Sequence, residues 1–240
     1  MIVHKKYSIK TLPAFMLIIA GVMVFSLISA CKSTTPVTPS NGIITQINIV
    51  NLSPDMGGLY LWSNFLQQNN LFKPYVYGKP SGYTAVLNTN VPFELRTRDN
   101  VHYFDYDKVL TLNNRYTIFT TGLVADKSQT TIFTTDSDAA PSIGRGKVRF
   151  VNASARSINL DLTANGTIAF SNVAFTKVSK YVEMPAGIYD FKIFTTGTTD
   201  ALADLPRFTV QDGKLYTIYS QGILGRTDSA TFGMNIITNR

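Results

Sequence analysis

The residue best suited to covalent chemistry is Cys31, the only cysteine in the 240-residue chain. Its thiol is a nucleophile, but without a second cysteine it cannot form a disulfide within the chain or build a multi-thiolate metal site. A basic head with Lys5, Lys6 and Lys10 comes first, and residues 11–30 then carry no charged side chain. A thiol directly after such an apolar segment can accept a lipid through a thioether bond.

The residues before Cys31 resemble the lipobox that a bacterial lipoprotein signal peptidase recognises. Ile28 is the branched apolar residue of that motif, and Ser29 and Ala30 are the small residues before the cleavage site. The uncharged stretch approaches the roughly 20 residues that cross a bilayer, so a retained transmembrane anchor is the competing interpretation. Because the small residues favour cleavage, we predict that residues 1–30 form a signal peptide and that Cys31 is the lipid attachment site.

This resemblance implies a protein that is held at a membrane. The cleaved chain would begin at Cys31 with a diacylglycerol thioether and a further acyl chain such as palmitate, and two or more acyl chains give stable anchoring. Residues 31–42 are polar and contain Pro36 and Pro39, so we predict a flexible tether. The expected location is the outer membrane. The tether lacks the acidic residues of a surface-export signal, which favours the periplasmic face and leaves the surface face as the alternative.

His102 is the only histidine after the predicted signal peptide, so a Ser-His-Asp set would have to be built around it. Strict strand alternation places Phe104 and Tyr106 on the face that His102 shares, and Asp105 and Asp107 on the opposite face. We therefore expect a solvated histidine at a strand or hairpin edge. A hydrolase that uses His102 with the nearby aspartates is the alternative.

The acidic residues do not form a recognisable catalytic or metal-binding pattern. The only two glutamates, Glu94 and Glu183, lie in different halves of the chain, so a paired-carboxylate site would require a cleft between the halves. Asp136 and Asp138 could offer oxygens to calcium, but no ligand loop of defined spacing follows them. The sequence therefore predicts no catalytic residue, no metal and no cofactor.

The charge of the chain does not indicate a nucleic-acid partner. Three of the 22 basic residues, Lys5, Lys6 and Lys10, belong to the predicted signal peptide, and the remaining 19 are balanced against 15 acidic residues. These basic residues are scattered singly and do not form a stripe with interleaved aromatic residues. We expect no binding to nucleic acid.

After residue 42 the chain consists of short runs of alternating apolar residues separated by Gly, Pro, Asn and Asp, which is typical of consecutive β-strands. The same order of strand signals occurs twice, about one hundred residues apart. The matched segments are 47–53 with 148–154, 77–83 with 175–181, 91–95 with 189–193, and 116–122 with 216–222. We predict an all-β fold after the signal helix, with two tandem, small, antiparallel, immunoglobulin-like β-sandwiches at residues 43–140 and 144–240.

Three segments of the second copy resemble a known family: residues 146–154 (Gly-Lys-Val-Arg-Phe-Val-Asn-Ala-Ser), 185–187 (Pro-Ala-Gly) and 215–222 (Leu-Tyr-Thr-Ile-Tyr-Ser-Gln-Gly). They are similar to the domain of unknown function 4397 family. The resemblance covers most of residues 144–223, and residues 44–124 resemble the family more loosely because they lack the Pro-Ala-Gly turn. It implies small β-sandwiches, often in tandem on secreted or lipid-anchored bacterial proteins of the Bacteroidetes type. It implies no activity, since none is established for the family.

Comparison of the two copies selects a candidate binding surface at Tyr60 and Trp62. When the copies are aligned, these two aromatic residues take the places of Asp161 and Thr163, which we expect to face water. An outward-facing pair could stack on a sugar ring or form a hot spot for a partner protein. Alternatively, residues 63–74 or the second sandwich fold over the pair and bury it.

Near the C-terminus, Asp228-Ser229-Ala230 resembles the short acceptor motif for O-glycosylation in Bacteroidetes, which makes Ser229 a candidate modification site. Together, these patterns predict a non-enzymatic, lipid-anchored cell-envelope protein that acts as a binding or structural module. Its expected partners are the membrane, through the lipid anchor, and a glycan or an envelope protein. A glycan-binding or adhesive surface lipoprotein is the first alternative, and a hydrolase is the second.

Overall fold

The structure is a computed structural model that describes residues 45–63, 66–69, 72–86, 92–99, 101–106 and 110–240. Cys31, the lipobox residues Ile28, Ser29 and Ala30, and the predicted tether lie outside the described residues, so their roles stay predictions. Within the described part, no helix has the length and apolar character needed to cross a bilayer.

The described residues form sixteen β-strands, which confirms the predicted all-β fold class. The first eight strands are β1 (Gln46–Asn51), β2 (Leu59–Ser63), β3 (Leu66–Gln67), β4 (Thr84–Ala85), β5 (Phe93–Thr97), β6 (His102–Tyr106), β7 (Arg115–Thr121) and β8 (Thr130–Thr135). The second eight are β9 (Arg145–Asn152), β10 (Leu160–Ala164), β11 (Thr167–Val173), β12 (Val182–Pro185), β13 (Gly187–Thr195), β14 (Ala201–Val210), β15 (Leu215–Gln221) and β16 (Gly233–Thr238).

Each set of eight strands forms two four-stranded sheets with the same topology. In the first repeat, the order β4-β1-β7-β8 makes the first inner sheet and the order β3-β2-β5-β6 makes the first outer sheet. In the second repeat, β12-β9-β15-β16 makes the second inner sheet and β11-β10-β13-β14 makes the second outer sheet. Strand neighbours are antiparallel except for β1 with β7 and β9 with β15, which are parallel. The internal repeat in the sequence is therefore a repeat of the whole strand order.

Each repeat has its own apolar core between its inner and outer sheets. In the first repeat, alternating residues such as Ile47 and Ile49 of β1 meet Leu61, Phe93 and Leu95 of the first outer sheet. In the second repeat the core is built from the corresponding strands, and its fully buried members include Phe150, Leu162, Phe191, Ile193 and Ile218. Alternation along each strand sends one set of side chains into this core.

The two inner sheets also pack against each other, through the faces that point away from the two cores. Phe119 of β7 lies against Tyr219 of β15, with ring centroids 5.3 Å apart, and both side chains are fully buried. Val50 and Val151 belong to the same apolar cluster. Because this cluster draws on both repeats, residues 43–240 form one compact unit, with the inner sheets in the middle and the outer sheets on the two sides.

A buried polar network accompanies this apolar contact. The carboxylate of Asp136, at the end of β8, accepts hydrogen bonds from Tyr83 (2.7 Å), Thr117 (2.5 Å) and Thr134 (2.7 Å) in the first repeat. It also forms an ion pair with Arg149 of the second repeat, whose side chain is 5% exposed. Burial of the Tyr83 phenol, together with the nearby Asp136 carboxylate, raises the pKa of Tyr83 far above its usual value. The network therefore links the two repeats through buried polar and charged side chains.

The repeated Asn-x-Ser motif is a structural device inside each repeat. Asn51 and Asn152 are fully buried at the ends of β1 and β9, and each side-chain amide donates to two backbone carbonyls. The hydroxyl of Ser154, two residues on, donates to the carbonyl of Gly222 at 2.9 Å, and Ser53 makes the equivalent bond to Gly122. Buried amides and hydroxyls need such partners, which accounts for these residue types at both positions.

Candidate functional site

The predicted aromatic pair lies on strand β2 of the first outer sheet. Leu59 and Leu61 point into the core of the first repeat and are buried, so Tyr60 and Trp62 belong to the face that points away from this core. In the register of the sheet, Tyr60 is opposite Arg96 of β5 and Trp62 is opposite Glu94. This outer face is therefore a mixture of aromatic and charged side chains.

Of the two interpretations that the sequence leaves open, an outward-facing pair and a covered pair, the structure favours the covered one. Tyr60 is only 4% exposed, and Trp62 is half-buried. The physical reason is that long cross-strand neighbours occupy the space above the sheet: the Arg96 guanidinium lies over the Trp62 ring, 4.8 Å from its centroid. The segment that follows β2 returns beside it as β3, where Gln67 is opposite Trp62. Trp62 remains a candidate contact residue, but Tyr60 does not present its ring to a partner.

The positions in the second repeat that align with Tyr60 and Trp62 are also buried, whereas the sequence predicted that they face water. Asp161 and Thr163 are each 8% exposed, and they lie between β11 and β13, which pair with β10 on its two sides. The carboxylate of Asp161 accepts hydrogen bonds from the backbone N–H of Asn172 and from the hydroxyl of Thr196, both at 2.7 Å. Of these four outward-facing positions, three are buried and Trp62 is half-buried.

A β-bulge brings His102 to the charged part of this face. The pairing of β5 with β6 shifts between Leu95 and Arg96, so that Arg96 is opposite His102 and one residue of β6 is skipped. As a result, His102 lies on the same side as Asp105, with Nδ1 3.5 Å from Oδ1. The expectation from strict alternation, that Asp105 faces away from His102, was wrong because alternation does not continue through a bulge.

Glu94, His102 and Asp105 together have the ligand atoms of a small metal site. Their donor atoms all lie within 4.8 Å of one another, and imidazole with carboxylates is a common ligand set for zinc. However, Glu94 already accepts two hydrogen bonds from the Arg96 guanidinium, one of them at 2.6 Å from Nε. The guanidinium charge neutralises the carboxylate that a cation would need. We therefore describe Glu94, Arg96, His102 and Asp105 as an ion-pair network beside Trp62.

The other acidic residues considered from the sequence are engaged in structural contacts. Asp136 takes part in the buried network described above, where its carboxylate has four donors. Asp138 binds the ammonium group of Lys147 at 2.8 Å, and this hydrogen bond, opposed by partial burial, holds the pKa of Asp138 below its usual value. Calcium at this pair would have to displace both basic partners.

The sequence did not reveal a recess on the second outer sheet. It has a volume of about 240 Å³, and its lining residues are Asp161, Thr163, Ile168, Phe194, Thr198 and Thr199. Asp161 and Thr163 are the residues that correspond to Tyr60 and Trp62, so small polar side chains leave room in the second repeat where aromatic ones fill it in the first. Comparison of side-chain volumes at aligned positions is the signal that could have found it.

The candidate modification site Ser229 lies in an exposed turn. Its neighbour Asp228 forms an ion pair with Arg226 and accepts a hydrogen bond from the backbone N–H of Ala230 at 3.0 Å. These contacts fix the turn while the Ser229 side chain stays accessible. O-glycosylation at Ser229 stays a prediction.

Comparison with known proteins gives one result on family and none on activity. No curated protein matches the chain. The family described as domain of unknown function (DUF4397) matches residues 45–163 and residues 146–239, two overlapping segments that together span nearly all of the described sheets. The resemblance that the Asn-x-Ser and Pro-Ala-Gly segments indicated is thus confirmed in both copies, and the chain belongs to the DUF4397 family.

Proposed function

We propose that this chain is a lipid-anchored protein of the bacterial cell envelope, and that its paired sandwiches act as a binding or structural module rather than as an enzyme. The observation that carries this proposal is the Ile28-Ser29-Ala30-Cys31 motif at the end of an uncharged segment, residues 11–30. The tether at residues 31–42 would hold the sandwiches away from the bilayer. Cys31 would supply the only lipid attachment, since the chain has no other cysteine.

The non-catalytic role is supported by how the potentially reactive side chains are used. Among the described residues, Asp136 is saturated by donors within the network between the repeats, and Glu94 is held by Arg96. His102 is paired with the carboxylates of Glu94 and Asp105, and these contacts orient it toward the ion-pair network. A catalytic set also needs a nucleophile that converges on the base and its orienting group, and the contacts of His102 among the described residues are with two carboxylates.

We propose the outer membrane as the location and the outer sheets as the contact surfaces. The faces of the inner sheets are used by the two cores and by the contact between the repeats, so a partner would meet the outer sheets or the loops. An envelope protein or a glycan is the proposed partner, and a nucleic acid is not, because the basic residues are dispersed. Protease treatment of intact cells would separate a surface location, in which the chain is cleaved, from a periplasmic one.

The lipid anchor is tested by metabolic labelling with an alkyne-tagged fatty acid in a bacterial host. The parent chain should take up the label and fractionate with the outer membrane, and Cys31→Ala should lose the label and the membrane association. Ser29→Ala is the matched control, because alanine keeps the small residue that the peptidase needs and labelling should persist. Retention of residues 1–30 in the intact mass of the parent, or fatty-acid label on Cys31→Ala, would contradict the proposal.

A further inference from the structure

We propose that the recess on the second outer sheet binds a single neutral sugar ring, as a monosaccharide or as one unit of a glycan. The recess lies over β10 and β13, on the side of the sheet that points away from the core. This inference goes beyond the proposed envelope function, because it assigns a site and a ligand class and does not depend on the lipid anchor.

The floor of the recess contains two oxygen atoms, Asp161 Oδ2 and the buried Thr163 Oγ1, that have no hydrogen-bond partner among the described residues. Both hydrogen bonds that Asp161 accepts within the described residues go to Oδ1, so Oδ2 is left for a ligand hydroxyl. Thr163 is 8% exposed, and its Oγ1 has no hydrogen-bond partner among the described residues. Because Oγ1 and Cγ2 of threonine are similar in size, rotation about χ1 can turn the hydroxyl toward a ligand that offers it a partner.

The walls of the recess supply apolar contact beside these polar groups. Phe194 is only partly buried, although it lies opposite Asp161 in the sheet register. Ile168, opposite Thr163 on β11, is 61% exposed. A pyranose has an apolar C–H face and a rim of hydroxyls, and an aromatic ring with adjacent polar groups matches both parts.

The size and charge of the recess narrow the ligand class. Its volume of about 240 Å³ is below the roughly 300–1,000 Å³ of pockets for drug-sized ligands, which suits one ring and not an extended molecule. The lining residues include a carboxylate and three threonine hydroxyls but no basic side chain. A phosphate or another anion would therefore find no counter-charge in the lining, whereas an uncharged polyol finds several hydrogen-bonding partners.

The first repeat provides an internal comparison at the same place in the fold. There, Tyr60 and Trp62 occupy the positions of Asp161 and Thr163, and Arg96 lies over the Trp62 ring. The aromatic side chains stand where the second repeat has small polar ones, and the nearby carboxylate of Glu94 is held by Arg96. The recess is thus a feature of one copy, which is expected of a specialised site and not of a requirement of the fold.

Saturation-transfer NMR with the full chain in phosphocholine micelles, which contain no sugar, tests the proposal. The probes are glucose, galactose, mannose and N-acetylglucosamine, with cyclohexanol as a ring of similar size that has one hydroxyl. We expect saturation transfer to at least one sugar and weaker transfer to cyclohexanol. Asp161→Asn, which keeps the Oδ1 acceptor, should weaken sugar binding by about tenfold or more, and Thr163→Trp, which copies the first repeat, should abolish it.

Two controls separate loss of binding from loss of folding. Thr167→Val makes a change on exposed β11 outside the recess and should bind as the parent does. Unfolding curves for every variant exclude those that do not fold, and Asp161→Asn decides the result if Thr163→Trp is among them. The proposal is overturned if no sugar gives saturation transfer, if folded Asp161→Asn binds as tightly as the parent, or if cyclohexanol binds as tightly as the sugars. None of these outcomes bears on fatty-acid labelling at Cys31.

Discussion

Replacement of Asp136 by alanine should weaken both repeats at once, because its carboxylate joins them. Asp136 is 1% exposed. It accepts hydrogen bonds from three side chains of the first repeat and pairs with Arg149 of the second. Asp136→Ala therefore leaves a guanidinium without its counter-ion in the contact between the inner sheets.

The expected loss follows from what Arg149 keeps. Removing one partner of a buried ion pair costs about 3–5 kcal/mol, because the remaining charge is buried and unpaired. Arg149 retains hydrogen bonds to the carbonyl of Thr135 and to the hydroxyl of Thr217, both at 2.8 Å, and its guanidinium lies 4.7 Å from the centroid of the Tyr181 ring. These contacts place the expected loss near the lower end, at about 3 kcal/mol. That is a large part of the roughly 5–15 kcal/mol that stabilises a typical domain.

Guanidinium unfolding followed by two probes measures this loss and its reach. Trp62 is the only tryptophan and lies in the first repeat, so its fluorescence reports that repeat, while far-UV circular dichroism reports both. In Asp136→Ala the two transitions should shift together, because the contact between the repeats makes them one cooperative unit.

Asp138→Ala is the matched control, since this carboxylate is 37% exposed in its ion pair with Lys147. An exposed pair of this kind contributes about 0–1 kcal/mol. A loss in Asp136→Ala no larger than in Asp138→Ala would refute the reasoning about the buried charge. Separate fluorescence and dichroism transitions in the parent chain would refute the claim of a single unit.

Three further predictions concern the second repeat. Gly222→Ala would place Cβ 2.0 Å from the carbonyl oxygen of Thr231, whereas the Cβ of Gly213→Ala would meet no atom within 4 Å at the same φ of 74°. Both variants carry a left-handed backbone penalty of about 1 kcal/mol. The difference between their free energies of unfolding, measured by thermal unfolding, should therefore reflect the clash alone, about 2 kcal/mol or more. Burial raises the pKa of Tyr181 from 10.0 to about 12, so the neutral phenol favours the folded state below pH 10. As the pH rises through 12, the parent should lose about 3 kcal/mol more stability than Tyr181→Phe, in which the other buried tyrosines still titrate. Thr163→Val removes a buried hydroxyl that has no partner among the described residues and should raise the free energy of unfolding by about 1 kcal/mol, whereas a decrease would mean that the hydroxyl is bonded in the native state.

The sequence predicted the parts of the fold that depend on neighbouring strands. Alternating apolar residues and turn residues indicated the strands, and the repeated Asn-x-Ser segments indicated two copies with one strand order. Asn51 and Asn152 carry this information because their side chains complete the same backbone hydrogen bonds in each copy. Local pattern was sufficient wherever a side chain serves the repeat in which it lies.

The contact between the repeats could not be predicted, because polar residues at the second face of an inner strand look as if they face water. Asn48 and Thr117 alternate with buried isoleucines and yet are themselves fully buried. Asn48 lies 3.4 Å from Thr117, and Thr117 donates to Asp136. Apolar and polar residues alternate in the same way whether the polar face of a strand meets water or is buried. Only the long-range packing of the inner sheets distinguishes the two cases.

The candidate sites were missed for related reasons. His102 and Asp105 come together through a skipped residue in β6, and no residue type in this strand marks the bulge in advance. The surroundings of Tyr60 and Trp62 depend on the cross-strand register, which places Arg96 opposite Tyr60 and its guanidinium over the Trp62 ring, and not on the pattern of β2 alone. The recess at Asp161 exists where the second repeat has smaller side chains than the first at two aligned positions. It can therefore be inferred only by comparing the two copies.

This division between shared and divergent positions indicates where the two repeats have acquired different roles. The buried Asn, Ser and Gly residues that close each repeat are the same in both copies, and the inner sheets have no free face because each covers a core on one side and the other repeat on the other. The outer sheets differ: the first has Trp62 under Arg96 with an ion-pair network, and the second has an open recess with a carboxylate in its floor. These two outer surfaces are therefore the places where the sheets themselves would give the copies different recognition. Exchange of Tyr60 and Trp62 for Asp and Thr in the first repeat would therefore alter what that copy contacts while leaving the shared packing of the inner sheets intact.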